Sequence, residues 1–211
     1  MKRLFFAALA AALMFSGTAF AQLSVGEGSW TAGGGATFFN LSGSDAGQLE
    51  KKGFPGNIPG FYFGASLDYA FSTIEGLSVE PGVYIQHYGK AFKYGEATEK
   101  KSYHANYLHV PIDLKFAFPT GGDIGIAVFT GPRFNLGLGG NMFSAAKSYP
   151  GLMPIEAMWG LGLAVSLQDA VVIKGGYNNG LTKAIRDNKD LGMEDLITHK
   201  NSFYVGIGFA F

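Results

Sequence analysis

A chain of 211 residues is long enough for one domain with a full core, and two are not needed. With 32 glycines, 15% aromatic residues and no cysteine the mixture is unlike a soluble enzyme, and thiol catalysis, disulfides and thiolate metal sites are excluded at once. Sixteen basic residues balance sixteen acidic ones, so no basic surface argues for nucleic acid.

Residues 1–21 read as an export signal. Lys2 and Arg3 form a positive start, 4–15 a short apolar run, and Ala19-Phe20-Ala21 a cleavage site, which predicts a mature chain over 22–211. The apolar run falls short of the roughly 20 residues a membrane helix needs, and charges or glycines interrupt every later one. If such an exported chain spans a membrane, it does so with strands, which satisfy their backbone groups by closing on themselves.

Alternation of period two runs through most of the mature chain, and successive side chains of a strand point to opposite faces. The first strand is placed at 29–39, with Trp30, Ala32, Ala36 and Phe38 on one side, and a loop of Gly, Ser, Asp, Pro and paired lysines at 40–59. In the second, 60–71, Phe61, Phe63, Ala65, Leu67, Tyr69 and Phe71 oppose Tyr62, Gly64, Ser66 and Asp68. After a tight connection at 72–76, Leu77, Val79, Val83 and Ile85 alternate with Ser78, Glu80, Gly82, Tyr84 and Gln86. Pro81 interrupts that apolar face and, having no backbone donor, predicts a bulge.

The polar stretch 88–102 is expected to be a loop. The fourth strand, 103–118, carries Leu108, Val110, Ile112, Leu114, Phe116 and Phe118 against Tyr107, His109, Asp113 and Lys115, and 119–123 turns the chain. The fifth, 124–136, sets Ile126, Val128, Thr130 and Phe134 against Ala127, Phe129, Gly131, Arg133 and Asn135. A loop over 137–154 leads to the sixth, where Ile155, Ala157, Trp159, Leu161, Leu163, Val165 and Leu167 oppose Glu156, Met158, Gly160, Gly162, Ala164 and Ser166. A short turn at 168–170 precedes the seventh, with Val171, Ile173, Tyr177 and Leu181 opposite Lys174, Gly176, Asn178 and Gly180. The loop 182–200 leads to the last strand, where Phe203, Val205, Ile207, Phe209 and Phe211 oppose Tyr204, Gly206, Gly208 and Ala210.

Connections that run long, short, long, short, long, short, long put every long loop on one side of a membrane and every tight turn, with both termini, on the other. The fold class is therefore all-β, an eight-stranded antiparallel up-and-down transmembrane β-barrel. With the apolar faces toward lipid, the lumen receives Asp68, Glu80, His109, Asp113, Lys115, Arg133, Glu156 and Lys174. Mixed signs on one inward face imply mutual pairing rather than a ring of one charge, because unpaired ions in a dry lumen are costly. A barrel of this size is just wide enough for side chains to fill, which predicts a plugged lumen in preference to a proton path or ligand site.

Catalytic and metal readings fare poorly. His87, His104, His109 and His199 lack metal-ligand spacing, and with no cysteine no metal or cofactor is expected. A lipid-modifying enzyme would want a His and Ser together on the lipid side near the outer rim, and only His199 and Ser202 come near that. Asp187, Asp190, Glu194 and Asp195 read as a solvated loop rather than a protease site. In 87–94, aromatics interleaved with lysine read as an interfacial girdle or a surface touching a partner or the sugars and phosphates of the outer leaflet.

Two motifs carry a family resemblance. Tyr107, Leu108, Val110, Pro111 and Lys115 in NYLHVPIDLKFAF, and Gly176, Tyr177, Gly180, Leu181 and Thr182 in GGYNNGLTKA, resemble the PorT-like outer-membrane β-barrel family of Bacteroidetes. His109 stands where such sequences often carry an acid. The resemblance implies an outer-membrane barrel, some relatives being tied to protein secretion, and the terminal Phe211 resembles the signature read by barrel-assembly machinery. The expectation is a non-enzymatic barrel acting in envelope structure, adhesion or a secretion assembly through its long loops. Its partners are then outer-membrane lipid and lipopolysaccharide, the assembly machinery, and an envelope protein at the loops. A small pore or transporter is the alternative, ahead of a lipid-modifying enzyme or a soluble lipocalin-like binder.

Overall fold

Eight strands form in chain order: β1 (Val25–Ser42), β2 (Ile58–Phe71), β3 (Leu77–Phe92), β4 (Lys101–Phe118), β5 (Ile124–Gly139), β6 (Ile155–Leu167), β7 (Val171–Gly180) and β8 (His199–Ala210). The computed structural model describes residues 25–95, 99–120, 122–144, 151–189 and 195–211. The proposed export signal and its cleavage site lie outside them.

Each strand pairs antiparallel with its sequence neighbours and β8 pairs with β1, closing the barrel. Following partners around it, Gly28–Tyr69–Val79–Leu114–Thr130–Leu161–Tyr177–Phe203–Phe38, returns to β1 ten residues along (38 − 28). A stagger of that size on eight strands tilts them by about 40°. The outward rows present Phe61, Phe63, Leu161, Leu163, Ile207 and Phe209, all around half exposed or more, which in water would be a large unpaid apolar area and in lipid is the matching surface.

The structure corrects the expected elements in several places. β3 and β4 continue into 88–102 from both ends, leaving 93–100 as the connection. Pro81 makes no bulge: its pairing with Ile112 keeps the register of Glu80 with Asp113 and Tyr84 with His109, so the missing donor is absorbed without inserting a residue. Irregularities fall instead between Val25 and Gly28 and between Asn106 and Tyr107. The first long loop also contains a short helix, α1 (Ala46–Lys51), and β8 begins at His199, which moves Lys200 from the expected loop into the wall.

The long connections fold into a cap with its own core. Phe39, Leu49, Ile58, Tyr88, Met142 and Ile185 are fully buried there, drawn from both the upper strands and the loops. Backbone bonds tie the loops together, among them Gly95 N to Lys52 O (2.7 Å), Leu152 N to Met142 O (2.6 Å) and Arg186 N to Gly151 O (2.8 Å).

Candidate functional site

The inward residues stack in tiers. At the tight-turn end Lys115 pairs with Asp68 and lies 3.4 Å from Glu80, Lys174 pairs with Glu80, and Ser66 donates to Glu80 Oε1 at 2.5 Å. At mid-height Arg133, 1% exposed, reaches across the lumen. Its Nη2 donates to Asp113 Oδ1 (2.7 Å) and Tyr204 Oη (3.3 Å), its Nη1 to Asn178 Oδ1 (2.6 Å), and Asn178 in turn donates to Ser202 Oγ (2.9 Å). The guanidinium also sits 5.7 Å from the Phe129 ring centroid and 5.6 Å from that of Tyr204, a second way of satisfying a desolvated cation.

The upper tier centres on Glu156. Lys200 Nζ lies 2.5 Å from its Oε2, Asn135 donates to the same oxygen (3.0 Å), and Tyr107 donates to Oε1 (3.3 Å). His109 Nδ1 meets Asn135 Oδ1 at 2.6 Å, and Lys200 Nζ is 3.8 Å from the Tyr107 centroid. All eight residues expected in the lumen thus face inward, seven of them in ion pairs and His109 in a hydrogen bond to Asn135.

Glycines on the inward rows make this crossing of side chains possible. A Cβ at Gly160 would fall 1.0 Å from Arg133 Nη1, one at Gly162 2.3 Å from the Phe129 ring, and one at Gly206 2.2 Å from the Tyr62 hydroxyl. The side chains leave a 40 Å³ cavity beside Arg133 and Asp113, whereas the tight-turn end opens into a larger hollow of about 450 Å³ under Asp68 and Lys115.

Lys200, Asn135, Asn178 and Tyr204 are among the residues that sequence reasoning left out of the network. Carrying the inward parity of Tyr204 and Ser202 back two positions finds Lys200, and the others lie on inward rows already assigned.

The remaining candidates separate. Ser202 points into the lumen, buried, while His199 on the opposite face of β8 meets the Thr182 carbonyl at 3.1 Å, so they form no dyad. No group of three or more metal-ligating side chains occurs among the described residues. In the last loop Lys183 pairs with Asp187, whose Oδ1 also accepts from Asp195 N (3.0 Å); the lysine hydrogen bond holds that carboxyl below the usual range. Asp190 and Glu194 lie outside the described residues. Tyr88 and Phe92 within the aromatic–lysine stretch are buried under the cap, not set in a girdle.

Residues 7–211 match the family model described as outer membrane protein beta-barrel domain. The chain belongs to that family. Its members' placement makes the outer rows lipid-facing and this protein a porin-like barrel of the Gram-negative outer membrane. Among solved structures it is similar to Ail of Yersinia pestis in complex with the heparin analogue sucrose octasulfate, at 14% identity over 88% of this chain and 100% of that one, TM-score 0.48. It is also similar to Neisserial surface protein A (16%, 87% and 98%, TM-score 0.45) and to OprG from Pseudomonas aeruginosa (10%, 87% and 96%, TM-score 0.47). No curated protein matches the sequence.

Proposed function

We propose that this barrel is a non-enzymatic envelope protein of the PorT-like kind, exported by residues 1–21, with a lumen closed to solutes and a folded cap that holds an envelope partner. Envelope structure, adhesion and a secretion assembly are the roles that fit such a cap. The observation that carries the reading is the Arg133 crossing, where one side chain of β5 bonds to groups on β4, β7 and β8, with a 40 Å³ cavity beside it. Sealing the middle by pairing, while building an apolar core over the mouth, suits a rigid platform and opposes transport.

Conductance of the reconstituted protein in a planar bilayer tests this. Silence at moderate voltage supports the closed lumen; steady single-channel steps abolish it in favour of a small pore, the reading toward which the 450 Å³ hollow at the tight-turn end leans. The mass of the purified protein tests the export signal, which requires a chain starting at Gln22. Removal of Phe211 tests engagement of the assembly machinery through loss of the folded barrel from the outer membrane.

A further inference from the structure

The wall built by β3 and β4 turns polar at its upper end. Climbing its outer face, the paired rows run Ile85 with Leu108, His87 with Asn106, Gly89 with His104 and Ala91 with Ser102. His87 Nδ1 donates to Asn106 Oδ1 (2.8 Å), an orientation fixed by Asn106 Nδ2 donating to the Gly139 carbonyl (3.2 Å). The His87 ring stacks on His104 with centroids 6.5 Å apart and lies 5.1 Å from Phe61. At the matching end β5 and β6 instead turn Leu136, Leu138 and Ile155 outward.

Directly above this row stand exposed lysines. Lys93 and Lys100 are the ends of the β3–β4 connection and Lys101 opens β4, and the first loop folds onto that connection. The Lys52 carbonyl accepts from Gly95 N, Phe54 packs on Phe92 with centroids 5.6 Å apart, and Lys90 Nζ donates to the Asn57 carbonyl at 2.6 Å. Lys51 and Lys52 therefore join the same edge. Among the described acids of these segments, Glu50 folds back over Gly56, and Glu99 is exposed. No ion pair among the described residues holds Lys51, Lys93, Lys100 or Lys101.

We infer that this edge binds the phosphorylated sugars of the lipopolysaccharide around the barrel. Ammonium groups above the headgroup level match phosphate. The His87–Asn106–His104 row below offers ring nitrogens to sugar hydroxyls, with Phe61 beside them as an apolar face. A soluble polyanion reaches the lysines from above. The histidine row, one pair above Ile85 and Leu108 on the lateral wall, is reached by a molecule whose own acyl chains stand in the bilayer. The inference rests on the outer-membrane placement and is independent of the closed lumen.

The test titrates the full-length detergent-solubilised protein with purified lipopolysaccharide at two salt concentrations, beside dephosphorylated lipopolysaccharide and heparin. Each lysine removed near a membrane surface weakens binding about fivefold, so K93Q/K100Q/K101Q is expected to bind roughly 100-fold more weakly, with a shallower salt dependence. H87L/H104L should lose severalfold while leaving the salt slope unchanged, dephosphorylated lipopolysaccharide should bind as weakly to the wild type as the intact molecule does to the lysine variant, and heparin should fail to displace lipopolysaccharide. Heat-modifiable migration checks that each variant is folded, and K93Q alone replaces the triple variant if that one is not. Unchanged binding by the folded lysine variants overturns the site, and so does equal binding of the dephosphorylated molecule. Full displacement by heparin with no effect of the histidine changes assigns the lysines to a soluble polyanion and also overturns it. Bilayer conductance plays no part in these outcomes, so failure here is distinct from failure of the closed-lumen reading.

Discussion

Arg133 concentrates what a single residue does in this barrel. Its charge is buried, its partners come from three other strands, and its space exists because Gly160 has no side chain. Breaking a buried pair by removing one partner costs about 3–5 kcal/mol, mostly because the other charge is left unpaired. Arg133→Met is therefore expected to lower stability by about 3 kcal/mol in urea titration of the detergent-folded protein, and Arg133→Met with Asp113→Asn to recover much of the loss. Equal instability of the single and double variants would show that packing, and not pairing, holds the centre. The inward position of Arg133 was legible from the parity of Phe129 and Gly131. The role of Gly160 was not, because the side chain it accommodates belongs to a different strand and meets it on a diagonal that neither strand's pattern records.

At the scale of elements, alternation was legible wherever one face met lipid, and it misled where the strands rise out of it. Along β3 the inward row changes from Glu80 and Tyr84 to buried Tyr88 and Phe92, while the outward row changes from Val83 and Ile85 to His87 and, just past the strand, Lys93. The pattern persists with its polarity inverted, because water replaces lipid outside and the cap core replaces the ion network inside. Read with one polarity throughout, the stretch looks like a loop. Turns have a local logic of their own. Gln168 and Asp169 both hold positive φ (49° and 53°) between Leu167 and Ala170, whose Ala170 N donates to the Leu167 carbonyl at 3.1 Å. A left-handed conformation costs a non-glycine residue about 1–2 kcal/mol, so Asp169→Gly is expected to raise stability by about 1 kcal/mol, measured by the same urea midpoint. No gain would mean that the aspartate side chain already offsets the strain. In the last loop, Lys183 lowers the Asp187 pKa, so the pair's contribution is present above the carboxyl's ordinary value of 3.8 and is lost as pH falls through the depressed one. An NMR titration of that carboxyl should find its midpoint below 3.8 and, as an exposed pair, drifting upward with added salt.

For the molecule as a whole, the inversion divides one continuous barrel between two solvents. The lower part is stabilised by closing strands in lipid around paired charges, and the upper part by apolar burial in water, as in a soluble protein. Phe92 belongs to the second kind: it is 6% exposed, packs on Tyr103 with centroids 4.3 Å apart and on Phe54, and sits above the lipid-facing rows. Deleting a buried Phe side chain costs about 3–5 kcal/mol. If the cap were merely the end of the barrel, Phe92→Ala would loosen both halves together. If the cap core is a separate source of stability, the loss stays local, because the strand ladder below is held by closure and lipid. Trypsin added to intact cells distinguishes the two, since Lys51, Lys52, Lys93 and Lys101 are exposed yet belong to segments bound into the cap. The wild type is expected to be cut slowly, and Phe92→Ala at least tenfold faster at these lysines while still migrating as a folded barrel before heating. Rapid cleavage of the wild type would mean that the cap opens readily, and loss of heat-modifiable migration in Phe92→Ala would mean that the two halves stand or fall together.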